Sequence, residues 1–478
     1  RDMSGKSLSN MLDHPIFAIA GEAADQLGIE AYVVGGYVRD QCLGRRRTNF
    51  DIDFVCVGSG IEWAKRTASL ISKDLSVQFF SRFGTAHFAW QGGDFEFVGA
   101  RKESYQKDSR KPMVEDGSLE DDQWRRDFTI NAMAICLNKE RYGEFVDPFN
   151  GRQDLDQQVI RTPMDADQTF SDDPLRMLRA IRFATQLNFF IRPEVLEAIQ
   201  RNVHRLEIIS QERITTEVNK IIMSSKPSVG FKLLLSTGLL ESFFPEMVTL
   251  CGVETRDGKA HKDNFLHTLQ VLDNVCQTSD DLFLRWSAIL HDIAKPKTKR
   301  FDAKAGWTFH GHEVVGERMV KPIFKRFKLP LGEERKFVEK MVRLHLRPIP
   351  LSRNEISDSA IRRLLFGAGE DLESLFKLCE ADITSKNKAR VKRYMANFTL
   401  VRQKCIDIEA KDQVRNFQPP VTGEMIMETF GIGPCRAIGD IKSQIKEAIL
   451  EGDIENDVEE AKALMIKLGA DHGLTPVQ

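Results

Sequence analysis

Residues 31–58 read AYVVGGYVRDQCLGRRRTNFDIDFVCVG. An apolar run (Tyr32, Val33, Val34) breaks at Gly35 and Gly36, passes through Tyr37-Val38-Arg39-Asp40, and returns as Asp51-Ile52-Asp53-Phe54-Val55. The pattern predicts strand, tight turn, helix start and second strand, because paired glycines let a backbone approach a phosphate and free helix N–H groups attract it. Side chains alternate along a strand, so Asp51 and Asp53 share one face while Ile52 and Phe54 point to the core. Two carboxylates so placed stay ionised together only when a cation joins them. Hard oxygen ligands in a pair, next to a phosphate cradle, meet the needs of two-metal phosphoryl chemistry with Mg²⁺. Either half alone is ordinarily a glycine turn or an edge strand with surface aspartates. Both halves in this order, with Arg39 between them, point to nucleotidyl transfer.

GGYVRD followed by DID resembles the first motif of class II tRNA nucleotidyltransferases and bacterial poly(A) polymerases, above all the bacterial CCA-adding type with a C-terminal HD domain. Later motifs extend the resemblance. Trp124-Arg125-Arg126-Asp127-Phe128-Thr129-Ile130-Asn131-Ala132 contains RRDxxxNA, and Asp147-Pro148 with Gly151, Asp154 and Leu155 gives DPxxGxxDL. Asp172-Asp173-Pro174-Leu175-Arg176 stands where the family has EDxxR, and Glu212-Arg213 with Glu217 resembles the last motif, whose role is to brace the base-reading helix. Such a resemblance implies an α+β chain. A polymerase-beta-like sheet-and-helix head would occupy 1–165, an all-α neck with a base-reading helix 166–255, an HD domain 256–400 and a helical tail 401–478. It also implies roles: Asp51 and Asp53 as catalytic Mg²⁺ ligands, and Gly35, Gly36, Arg39 and Arg126 around the triphosphate. Asp127 and Asn131 would accept from and donate to sugar hydroxyls. The family draws a third carboxylate from a neighbouring strand, for which Glu96 in Phe95-Glu96-Phe97 is the candidate; its ordinary reading is a solvent-facing residue on a half-buried strand.

The pattern around these motifs is consistent with a small, mostly antiparallel sheet with helices on one face: helix over 15–28 and 61–75, alternating runs at 77–80, 85–90 and 95–98. Residues 101–122 are polar, charged and without period, which predicts a mobile loop. Beyond Thr162 the strand-like runs end, placing a boundary at 161–171.

The segment from Asp172 is a helix start with acidic residues at its cap and proline in its first turn. Asp173, Arg176, Arg179 and Arg182 recur at intervals of three, while Leu175, Leu178 and Ile181 face inward. An acceptor and a cationic donor fixed side by side recognise an amino group next to a ring or carbonyl acceptor. Cytosine and adenine both present that pair. Uracil and guanine put a carbonyl against Asp173, an unpaired buried charge that costs several kcal/mol, on the order expected for such mismatches. Asp173 with Arg176 therefore selects C and A; Arg179 and Arg182 meet the triphosphate or hold Asp173.

The C-terminal half reads as helices. His267, the adjacent His291-Asp292 of HDIAK, and the distant Asp382 resemble the ligand set of HD-domain phosphohydrolases, with His310, His312 and His345 near enough in sequence to complete a second position or contact substrate. That set suits Mn²⁺, Fe or Ni²⁺ as well as Mg²⁺ and implies a second divalent metal. Its substrate stays open among 2′,3′-cyclic phosphates, 2′-nucleotides and phosphate released by the transferase. No acidic residue separates Asp382 from Asp407, whereas Lys386, Lys388, Arg390, Lys392 and Arg393 recur there with Tyr394, as a solvated helix face or an RNA-backbone contact would. With a formal net charge of −2 over 478 residues, nucleic-acid binding must come from such local patches. Eight scattered cysteines without a CxxC pair argue against zinc ribbons and disulfide frameworks. With no apolar run long enough to cross a bilayer and no charged-then-apolar leader pattern, a cytoplasmic location is expected.

Together these features predict template-independent addition of CMP and AMP to tRNA from CTP and ATP, with no membrane and no obligate protein partner. The alternatives are a poly(A) polymerase, disfavoured by Gln78-Phe79-Phe80-Ser81-Arg82-Phe83 where a basic GRRF signature would stand, and a phosphohydrolase whose N-terminal half only binds RNA.

Overall fold

The computed structural model describes residues 9–45, 50–104, 113–348, 357–384, 387–415 and 419–477. Two units, Arg1–Pro245 and Glu246–Gln478, each have their own core.

In the first unit, helix α1 (Pro15–Leu27) starts on proline with His14 accepting from the Ile16 N–H, ends at left-handed Gly28, and buries Phe17, Ala20 and Ala24. There follow β1 (Glu30–Val34), α2 (Gly36–Cys42), β2 (Phe50–Val57), α3 (Gly60–Ile71), β3 (Gln78–Phe80), β4 (Thr85–Trp90) and β5 (Gly93–Gly99). Next come β6 (Arg101–Ser104), β7 (Met113–Asp116), α4 (Leu119–Trp124), β8 (Ala134–Cys136) and β9 (Phe145–Val146). Seven strands pair in the order β3-β4-β5-β2-β1-β8-β9; β2 and β5 run parallel and every other neighbour is antiparallel. Helices α1 and α3 pack on each other and on the sheet, closing a core of Phe17, Phe54, Trp63, Phe88 and Phe97. Close approach here needs glycine: a Cβ on Gly99 would stand 2.3 Å from the Gly58 carbonyl oxygen.

The expected loop at 101–122 is only partly a loop. Its ends pair as the β6–β7 hairpin and continue into α4, whose start is a capping box in which the Ser118 hydroxyl accepts from the Asp121 N–H and the Asp121 carboxylate from the Ser118 N–H. Ser118-x-x-Asp121 was visible in the sequence, but the surrounding charge masked it. Residues 105–112 of that loop lie outside the described residues.

After α5 (Gly151–Gln157) and β10 (Val159–Ile160) the unit becomes helical: α6 (Ala166–Asp172), α7 (Leu175–Leu187), α8 (Pro193–Asn202) and α9 (Gln211–Ile222). One short strand, β11 (Phe190–Ile191), still pairs with β10 in parallel. Helix α7 buries Leu175, Leu178 and Ile181 as its period predicts, and packs on α9.

Among its described residues the second unit is almost wholly helical, with two small hairpins, Thr255–Arg256 with Lys259–Ala260 and Arg300–Asp302 with Gly306–Thr308. Its tail helices Gly423–Phe430, Arg436–Glu451 and Val458–Asp471 close a cluster around Ile426, Ile441, Ile445 and Met465. Among the described residues no helix is long and apolar enough to cross a membrane.

Candidate active site and candidate metal centre

Strand β2 does what its alternation predicts: Ile52 and Phe54 are buried and Asp51 and Asp53 are exposed. Parallel pairing with β5 puts Asp53 opposite Glu96 and Asp51 opposite Asp94. Burial pushes the Glu96 carboxyl above its ordinary value, and the Asp53 charge pushes it further against the opposing pull of His87. These carboxylates share a face, but Asp51, Asp53 and Glu96 do not close into a three-residue cluster with all ligand atoms within 4.8 Å.

Beside them stands the glycine turn. Gly35 has φ 77°, and a Cβ there would meet Arg126 Nη1 at 3.4 Å and Asp53 Oδ2 at 3.7 Å. Arg126 is held by Asp122, whose Oδ2 accepts from Arg126 Nε at 2.9 Å while its Oδ1 accepts from Arg125 Nη2 at 2.9 Å. Asp122 has no exposed surface, and although burial alone would raise its carboxyl, the two guanidinium groups hold it below the usual range. Sequence reasoning missed Asp122; the capping box that begins four residues upstream, at Ser118, was the available signal.

From the turn a continuous polar chain crosses to α9. Arg39 Nη1 donates to Asn131 Oδ1 (2.7 Å), Asn131 Nδ2 to Asp127 Oδ1 (3.1 Å), and Arg179 Nε to Asp127 Oδ2 (2.7 Å). Glu217 then accepts from Arg182 Nε and lies 3.9 Å from Arg179 Nη1. Burial would raise the Asp127 carboxyl, yet the Arg179 charge and its hydrogen bond, with Asn131 and Arg176, bring it down to about 2. One ring organises the cations: the guanidinium carbons of Arg39, Arg179 and Arg182 lie 5.0, 5.2 and 4.2 Å from the Phe183 centroid. Arg179 and Arg182 thus brace α7 against α9 and Asp127.

At the start of α7, Asp173 Oδ1 accepts from the Leu175 N–H at 3.2 Å, and Oδ2 lies 3.7 Å from Arg213 Nη2. Arg176 is buried and spends donors on the carbonyl oxygens of Thr169 and Arg125. The side chain directly ion-paired with Asp173 is therefore Arg213, which the sequence had marked only as part of a brace.

The second unit brings its predicted ligands together. His267, His291, Asp292 and Asp382 form one group, and Asp292, His312 and His345 another, each with its ligand atoms within 4.8 Å. His310 stays exposed and apart. Each of these imidazoles is fixed through Nδ1: His291 by the Ala288 carbonyl oxygen, His312 by that of Phe309 (3.0 Å), His345 by that of Val342 (2.6 Å), and His267 against Thr384 Oγ1 (3.1 Å). A carbonyl only accepts, so Nδ1 of the first three carries a proton and Nε2 is the nitrogen turned to the cluster; burial would lower the His291 pKa, yet the charges of Asp292 and Asp382 push it up to about 10, so a metal would displace a proton from its Nε2. Buried His291 Nε2 has no hydrogen-bond partner, and lies 3.2 Å from Asp292 Oδ2 and 3.3 Å from Asp382 Oδ1. The other Asp292 oxygen, Oδ1, faces His312 Nε2 (3.2 Å) and His345 Nε2 (3.7 Å). Asp292 is thus the shared carboxylate of two adjoining ligand groups. The donor set fits divalent metals, and the orphaned imidazole nitrogen is where one belongs.

The basic run opens the helix Lys388–Asp412, where Lys388, Arg390, Lys392 and Arg393 are exposed and Arg390 Nε donates to Tyr394 Oη at 2.9 Å. Lys386 lies outside the described residues.

Residues 31–161 match the family described as poly A polymerase head domain, 188–251 the probable RNA and SrmB-binding site of polymerase A, and 264–386 the HD domain. The A-adding tRNA nucleotidyltransferase of Deinococcus radiodurans is 30% identical over 359 residues, 73% of this chain and 79% of that protein. The multifunctional CCA protein of Hahella chejuensis is 34% identical over 314 residues, 63% and 69% respectively. Among solved structures, a tRNA nucleotidyltransferase complexed with a primer tRNA and an incoming ATP analogue aligns at TM-score 0.57 and 25% identity, covering 80% of this chain and 99% of that one. A CCA-adding enzyme with CTP shares the fold at TM-score 0.64 and 22% identity over 97% and 98% of the two chains. Head, RNA-binding and HD segments in that order, on relatives matched over more than two thirds of their length, place the chain in the tRNA nucleotidyltransferase and poly(A) polymerase family, with an HD domain and the use of divalent metal that the nucleotidyltransferase and HD domains imply.

Proposed function

We propose that the chain extends tRNA 3′ ends with C, C and A, taking CMP and AMP from CTP and ATP without a template and releasing pyrophosphate. The observation that supports it most is the meeting of Asp53 and Arg126 at the Gly35 turn, with Arg39 joined from there through Asn131 and Asp127 to α7. Reacting groups and base reader are thereby parts of one polar framework.

Mg²⁺ fits Asp51 and Asp53, whose hard oxygens sit on one exposed face beside the Glu96 carboxyl, which burial and the Asp53 charge have raised. When bound, Mg²⁺ lowers the pKa of the RNA 3′-hydroxyl and neutralises the β- and γ-phosphates. Glu96 assists as a neighbouring carboxylate. Gly35 and Gly36 admit the triphosphate, and Arg39 and Arg126 balance its charge. Asp127 and Asn131 position the sugar. Asp173 accepts the amino hydrogen of C or A while Arg176 donates beside it, with Arg179 and Arg182 keeping α7 in register.

In the second unit, His267, His291, Asp292 and Asp382 hold a divalent metal, with His312 and His345 completing a second position around Asp292. Lys388, Arg390, Lys392 and Arg393 contact RNA phosphates. The finer division at 1–165, 166–255, 256–400 and 401–478 and a cytoplasmic site of action belong to the same reading.

A second reading, addition of the terminal A alone, is favoured by the A-adding relative. Incubating tRNAs that end before the first C, after one C and after two with CTP and ATP separates the readings. Completion of all three supports CCA addition, extension of the last alone supports A addition, and a long A tail marks a poly(A) polymerase. In the same assay Arg176→Ala should relax base choice before activity is lost; an unchanged preference for C and A would refute its role in selection.

A further inference from the structure

Within the second unit, the helices Glu333–Leu344, Asp358–Ala368 and Arg436–Glu451 meet around a cavity of about 520 Å³. Arg343, Arg347, Arg363 and Lys446 line it, against a single carboxylate among the described residues, Glu447. Arg363 is committed to Glu447 (2.8 Å) and Glu451, and Arg343 lies 3.4 Å from Glu317. Among the described residues Arg347 and Lys446 have no ion-pair partner. A Cβ on Gly367 would stand 3.0 Å from Arg347 Nη1, so the missing side chain lets the guanidinium lie against the helix. Three guanidinium groups, those of Arg343, Arg347 and Arg363, line this one cavity, and an anion between them would relieve their mutual repulsion. Lys446 Nζ lies 5.0 Å over the Phe366 ring, and both residues also line an adjoining cavity of about 330 Å³ with Lys442 and Ser443.

We propose that this cavity is a binding site for a phosphate-bearing anion, held by Arg347, Lys446 and Arg343, that ties the tail helix Arg436–Glu451 to the HD helices. A guanidinium fork matches two phosphate oxygens and the lysine adds a point charge. None of its residues belongs to the transferase site or to the His-Asp cluster. The phosphate comes either from a free ligand or from an RNA backbone, and the chemistry is the same.

Hydrogen–deuterium exchange on the full chain tests this, with inorganic pyrophosphate in one arm and tRNA in the other, both in excess EDTA so that the metal sites do not compete. The expected result is slowed exchange in Asp358–Ala368 and Arg436–Glu451, with affinity falling about tenfold in Arg347→Ala and in Lys446→Ala and largely retained in Arg347→Lys. Slowing by pyrophosphate identifies a free ligand, and slowing by tRNA alone identifies a backbone phosphate. No slowing in either arm, or slowing that survives the Arg347→Ala/Lys446→Ala double variant, overturns the proposal.

Discussion

The two metal-competent regions of this chain are built from opposite materials. On the sheet, Asp51 and Asp53 stand exposed, and the order resides in the buried cations and carboxylates behind them. In the HD cluster the ligands converge and all but the partly exposed Asp382 are buried, with each histidine locked through its far nitrogen. A site that must admit a nucleoside triphosphate and release pyrophosphate at every turnover cannot keep its metal ligands sealed. It keeps them solvated and preorganises the charges that receive substrate. A site that retains its metal can spend its order on the ligand shell.

The contrast breaks most easily at Asp53. Asp53→Ala should cut nucleotide incorporation on the order of 10³-fold or more while leaving the melting temperature nearly unchanged, because charge pairs made by an exposed carboxylate contribute little to stability. Retained incorporation would detach the chemistry from β2. The HD cluster should answer in the reverse sense. Asp292→Asn removes the carboxylate shared by both ligand groups, so metal analysis should find both positions emptied, whereas His312→Ala should empty one. Nucleotide incorporation should stay within about twofold in either variant if the two regions act independently. Equal metal loss in the two variants would show that Asp292 is not shared.

Legibility in the sequence followed the range of the interaction. Strand alternation placed Asp51 and Asp53, and helical period placed Leu175, Leu178 and Ile181 on the buried face of α7, since both depend on residues a few positions apart. The HD ligands were readable because histidine and aspartate leave few alternative roles at such spacing. The Phe183 hub was not readable: a phenylalanine on an apolar helix face looks like core, and nothing local shows that Arg39 arrives from 144 positions upstream. The pairing of Asp173 with Arg213 was hidden likewise, as was the pairing of Glu217 with Arg182. The C-terminal hairpins were too short for alternation to register, with two or three residues per strand.

The polar framework can be weighed separately from catalysis through Asp127. Its folded pKa of about 2 lies below the ordinary aspartate value of 3.8, so ionisation favours the folded state. For a depressed carboxylate the contribution is complete above the unfolded value and is lost as pH falls through the folded one; here the window runs from about pH 4 down to about pH 2. The shift corresponds to about 2 kcal/mol at neutral pH. Asp127→Asn keeps the shape but removes the charge that Arg179 answers, leaving a half-buried guanidinium without its closest partner. Unfolding free energies from urea titration should therefore separate wild type from Asp127→Asn by roughly that amount at pH 6, and the gap should narrow steadily below pH 4. A gap constant down to pH 3 would mean that the loss comes from packing or the Asn131 hydrogen bond, and that the charge network behind the sheet is not what sets the site's order.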